Sequence, residues 1–174
     1  MILARMETAS HDKSVSALKR GGEGTGTAIA AADLTQPATR DAYAVWQVAR
    51  GARRMPSRAD MTPRVMKKFL SFIALAEIID GGKDFRFRVV GHGINSKQKL
   101  PLNGKTLTEV DQMVPGFGPF LRDLYRQTVQ QRDALAYRGT YVRTADRHPF
   151  TYEAVIAPLG NDGETPDHVL VVSV

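Results

Sequence analysis

The four histidines at 11, 92, 148 and 168 are the first residues to test for chemistry. No two of them stand at a metal-ligand spacing such as i, i+4. His148 precedes Pro149 and His168 opens an apolar run, so both read as solvent-facing strand starts. His92 has two readings: a hydrogen-bonded structural histidine or a contact lining a pocket. Gly91-His92-Gly93 begins like a dinucleotide fingerprint, but the third glycine and the parallel sheet that such a site needs are both missing. No Ser, His and Asp set has motif context, and no carboxylate pair stands out. Cysteine is absent, which removes thiolate nucleophiles, thiolate metal sites and disulfides.

The remaining polar chemistry is cationic. The net charge of +6 is unevenly placed: residues 1–34 hold four basic and four acidic residues, so residues 35–174 carry the whole excess. Its densest part holds Arg50, Arg53, Arg54, Arg58, Arg64, Lys67 and Lys68 against Asp60 alone. Such a run is either a solvated face or a surface for an acidic partner, a phosphorylated ligand or nucleic acid. Between prolines 56 and 63, Arg58 and Asp60 form either a salt-bridged brace or, with Arg54, a contact for an anion or an acidic partner. Nucleic acid is the weaker reading, because no aromatics are interleaved for stacking and no recognition helix is evident.

The elements that must position these groups follow from periodicity. Phe85, Phe87 and Val89 alternate with Arg86, Arg88 and Val90, the pattern of a strand with one face on a core. A partner strand is expected over 72–79, joined by Asp80-Gly81-Gly82 as a β-hairpin. A helix is expected over 40–49, capped by Thr39 and stopped by Gly51, with Tyr43 and Trp46 on its apolar stripe. Thr62 and Pro63 start a short helix through Lys68. Residues 94–107 read as short helical turns and loop. Phe120, Leu121, Leu124, Tyr125, Thr128 and Val129 repeat at helical spacing, and strands are expected over 134–142, 149–159 and 169–174. Residues 1–34, with the glycine-rich run at 21–26, are expected to be a flexible tail in which 15–20 is the one helical candidate. No apolar run approaches a membrane span and no signal peptide core opens the chain, so the expected location is cytoplasmic. Two strands, a helical crossover and three more strands give an α+β domain, one antiparallel sheet with helices on one face and an N-terminal helical extension.

In this order the pieces resemble a PAS domain, more narrowly the stand-alone PAS proteins common in alphaproteobacteria. The resemblance covers about residues 42–174. It rests on Trp46 with Arg50-Gly51, on Pro56 to Asp60 with Pro63, on 70–79, on Phe85 to Gly91, on Leu102-Asn103-Gly104-Lys105, and on Pro158-Leu159 with Asp162-Gly163. It implies a five-stranded antiparallel sheet over residues 35–174, with a pocket between the sheet and the central helices. It also implies sensing or regulatory contact with a signalling protein, such as a histidine kinase, rather than a reaction. Phe85, Phe87, Phe120, Tyr125, Phe150 and Tyr152 are core by default, and in such a fold some of them, with His92, would line the pocket. His92 stands where a small polar residue is expected. Haem-binding PAS domains place a histidine on the central helices, where residues 120–131 have none, and photosensory flavin PAS domains need a reactive cysteine. Helices flanking a PAS core often pair with a second copy. Tyr43 and Trp46 are therefore candidate contacts of a homodimer, the alternative being that Trp46 packs on its own sheet.

Overall fold

The computed structural model describes residues 24–142 and 146–174. Six strands form one antiparallel sheet: β1 (Gly24–Ile29), β2 (Ile73–Ile79), β3 (Asp84–Val90), β4 (Leu135–Val142), β5 (Pro149–Leu159) and β6 (His168–Ser173), in the order β1-β4-β5-β6-β2-β3. Four helices complete the fold: α1 (Pro37–Arg50), α2 (His92–Gln98), α3 (Leu107–Met113) and α4 (Phe117–Gln131).

The β2–β3 hairpin forms where the sequence places it. Gly81 and Gly82 take φ of 64° and 92°, the left-handed turn that glycine adopts without a Cβ clash. The strand phase departs from simple alternation. Leu75 pairs with Val89 and Ala76 with Phe87, so Arg88 is an extra residue on β3. A bulge of this kind reverses which face the following side chains meet. Phe85 and Phe87 are buried as expected, Val90 joins their core, and Val89 is turned to the other face and is 41% exposed. The expectation that Val89 continues the buried row is thereby corrected.

Helices α2 to α4 cover one face, as expected, and the N-terminal extension with α1 covers the other. Phe85, Phe87, Tyr137, Tyr152, Ala154 and Ile156 pack under α2, α3 and α4. Ile73, Leu75, Val155, Ala157, Leu170 and Val172 face the other way, against α1 and the segment carrying Met55, Met61, Met66 and Phe69. Burial on both sides explains why residues 152–159 of β5 are all buried and apolar but for Glu153. Trp46 is fully buried in this second core and its indole N–H donates to Pro158 O at 2.9 Å. It packs on its own sheet and is not available as a dimer contact. Tyr43 is half-buried and its hydroxyl accepts from Gln47 Nε2. The helix expected over 62–68 is instead a run of turns, although Met66 N–H does donate to Thr62 O.

The boundary of the expected tail is also corrected. Residues 24–29 are β1, paired in register with β4 from Gly24–Tyr141 to Ile29–Ala136. Gly26 in this strand leaves room for rings: a Cβ there would collide with Tyr137 and Tyr152. Leu34 is buried in the second core. The helical candidate at 15–20 lies outside the described residues.

Candidate functional site

A cavity of about 70 Å3 lies between the sheet and the helices on the first face. The strands contribute Ala74, Phe87, Tyr137, Tyr152, Ala154, Ile156, Val171 and Ser173 to its wall. Helix α4 contributes Phe117, Leu121, Leu124 and Tyr125, one stripe at i, i+4, i+7 and i+8. Helix α2 contributes Ile94, Lys97 and Gln98, again a single face. The wall is therefore apolar except for one cation, one amide and the hydroxyl-bearing Tyr125, Tyr137, Tyr152 and Ser173. Lys97 is half-buried, its ammonium 4.9 Å from the centre of the Phe150 ring. Burial pushes the pKa of Lys97 down, because apolar surroundings disfavour the charged form.

Of the aromatic candidates, Phe87, Tyr125 and Tyr152 reach this cavity. Phe85 lies behind it, edge-on to Tyr125 at 5.2 Å. Phe120 packs edge-on to Tyr137, and Phe150 stands against Tyr141 and under Lys97. His92 is exposed at the start of α2, where its Nε2 lies 3.1 Å from Ser96 Oγ. It is not a pocket residue, because the N-terminal turn of α2 points it outward. Of the sixteen residues on the wall only Phe87, Tyr125 and Tyr152 were candidates from the sequence; Lys97, Gln98 and Tyr137 are the polar members among those it missed, with Ser173. The three-residue step from Ile94 to Lys97 was the available signal, but it carries no direction until α2 is docked on the sheet.

A larger, shallow depression of about 770 Å3 lies on the opposite face, where Thr25, Thr27, Thr140, Thr151, Arg138 and Glu153 share the lining with Ile29 and Val174. Its charges are already satisfied. Glu153, 4% exposed, accepts from Thr35 N–H and Oγ1, Gln36 N–H, Thr39 Oγ1 and Arg138 Nη2. Burial alone would push this carboxyl up. The hydrogen bonds from Thr39, Arg138 and the two backbone N–H groups outweigh it and hold the pKa at about 2. Glu153 thus ties the entry to α1 onto β5, while Thr39, expected as the cap, lies inside the first turn of a helix that starts at Pro37. The expected Arg58–Asp60 brace is a different pair. Asp60 accepts from Ser57 N–H and Oγ and bridges to Arg53 at 3.0 Å. The Ser57 backbone bond is the largest reason that its pKa is lowered. Arg58 is exposed, and Arg54 is exposed and bridges to Glu164 at 3.4 Å. Among the described residues no group of three or more His, Asp or Glu could hold a metal, and no helix is long and apolar enough to cross a membrane.

A single antiparallel sheet with α2 to α4 cupping a largely apolar cavity on one face defines the class, an α+β domain built around a small pocket. A family model described as "PAS domain" matches residues 34–173, and the chain belongs to that family, one of sensory and signalling domains. Strands β2 to β6 fall inside the matched span and β1 lies before it, so the sixth strand is an addition to the five that the resemblance implies. Among solved structures, the chain is similar to "Structure of an RNA-binding Light-Oxygen-Voltage Receptor", with a TM-score of 0.48 and 12% identity. That match covers 89% of this chain and 39% of the receptor, so this chain spans about two fifths of its length. No curated protein matches. The cavity, at about 70 Å3, is well below the ~300–1,000 Å3 of drug-sized ligand sites.

Proposed function

We propose that this PAS domain is a sensory module that acts by binding rather than by catalysis. It takes a small ligand with one acidic group in the cavity between the sheet and α2 to α4, and occupancy alters the activity of a signalling partner. The observation that carries this reading is the placing of Lys97. Lys97 is the one cationic residue on a mostly apolar wall, half sunk beside the Phe150 ring, and it gives an entering carboxylate a charge-assisted contact while its alkyl part meets Phe87, Ile94 and Leu124. The volume is several times the ~10–15 Å3 that one water needs, which suits a ligand of a few non-hydrogen atoms, such as a short-chain carboxylic acid.

Native mass spectrometry of the purified protein tests for a retained ligand. Thermal melting against short-chain carboxylates and their amides tests its class. Carboxylates should raise the melting temperature through mass action, amides should do so much less, and Lys97→Met should abolish the difference. No retained mass together with no response to either series would overturn the reading.

A further inference from the structure

The second face of the sheet carries a groove that ligand binding leaves unused. It lies between the 58–66 segment and the ends of β2, β3 and β6, with a volume of about 260 Å3. Met61, Met66, Ile73, Leu75, Val89 and Leu170 line it. Methionine walls can reshape around different apolar groups.

Two observations mark this groove as a contact surface. The bulge at Arg88 turns Val89 out of the first core and onto the groove, where it is 41% exposed, beside Leu70 at 37%. Regular alternation would have buried Val89, so the irregularity itself creates the apolar rim. The second observation is charge. In the basic run, Arg53, Arg54 and Lys68 bridge to Asp60, Glu164 and Asp41, and beyond the run Arg88 on β3 is held by Glu77. Arg58, which lines the groove, and Arg64 and Lys67 in the same exposed segment make no ion pair with any described carboxylate.

The chemistry selects one occupant. A second copy docked symmetrically would set these cations against themselves. The chain's own residues 1–23 hold four Lys or Arg against three Asp or Glu and bring no acidic excess. Nucleic acid would meet Met, Leu and Val where it needs stacking rings. The geometry points to this groove as the docking site for an acidic amphipathic segment of a partner protein, one that seats an aliphatic side chain against Met61, Met66 and Val89 and sets its carboxylates against Arg58, Arg64 and Lys67. The surface is separate from the ligand cavity, which lies on the other side of the sheet.

The probes are a labelled peptide with a leucine face and a glutamate face, and a counterpart with lysine in place of glutamate. Fluorescence anisotropy of the full chain should show binding of the first and not of the second, weakening with salt. Methyl NMR shifts should centre on Met61, Met66 and Val89. Combined Arg58→Glu, Arg64→Glu and Lys67→Glu should weaken the glutamate peptide roughly tenfold or more, and these positions are exposed enough to leave folding intact. Val89→Glu, checked for folding by its melt, should weaken it similarly. Absence of binding, equal binding of both peptides, unchanged affinity in the charge-reversed variant, or self-association lost in Val89→Glu would each overturn the proposal.

Discussion

Glu153 shows how one buried carboxylate can hold an element in place. Its folded pKa of about 2 lies below the ordinary value of 4.5. The stabilisation it gives is therefore complete above pH 4.5 and is lost as pH falls from there towards 2. By linkage this amounts to about 3 kcal/mol. Urea melts should show wild type more stable than Glu153→Gln at pH 7, with the gap closing as pH drops through 4 and 3. A gap independent of pH would show that the hydrogen bonds, and not the charge, do the holding. Phe87 lies on the cavity wall and is buried beneath α4, so Phe87→Ala should cost about 3–5 kcal/mol in denaturant melts.

At the scale of elements, α1 and β1 carry the predictions. Trp46 locks α1 onto β5 through its ring and its bond to Pro158 O, so Trp46→Ala should cost about 3–5 kcal/mol and leave the sedimentation coefficient unchanged. Loss of association in that variant at full stability would contradict the packing. Strand β1 covers the outer edge of β4, whose backbone would otherwise be an unpaired template for other chains. A chain beginning at residue 31 should melt earlier and aggregate sooner than one beginning at residue 24. Equal melting and equal solubility would mean that β1 contributes no more than a loop.

Across the whole molecule, one sheet separates two cores that share no residue. The cavity lies in the first and the groove on the second. Phe87→Ala and Trp46→Ala, one from each core, should be additive within about 0.5 kcal/mol. Coupling well beyond that would show that the sheet transmits strain between its faces, the route by which a ligand could alter a partner docked opposite.

Local pattern was enough for much of this. The Phe85–Phe87 alternation, the Asp80-Gly81-Gly82 turn, the long helical stripe from Phe120 and the apolar strand after Pro149 each depend on neighbours in the chain, so their types and approximate bounds were legible. The PAS family and its sensory character were legible too, because ordered short motifs survive without contacts being known. Only the tertiary structure decided the rest. Val89 and Phe87 have the same local pattern, and the bulge that parts them is set by the pairing of β2 with β3. Gly24 to Ile29 looks like linker until Tyr137 and Tyr152 supply rings that need glycine opposite them. Trp46 fits equally on a partner or on its own sheet until Pro158 offers its carbonyl, and Asp60 fits Arg58 by proximity in sequence yet reaches Arg53 in space. Lys97 acquires its place by the cavity, and Glu153 its hold on the entry to α1, from residues far away in the chain. Such contacts depend on long-range docking, which residue spacing along the chain does not encode.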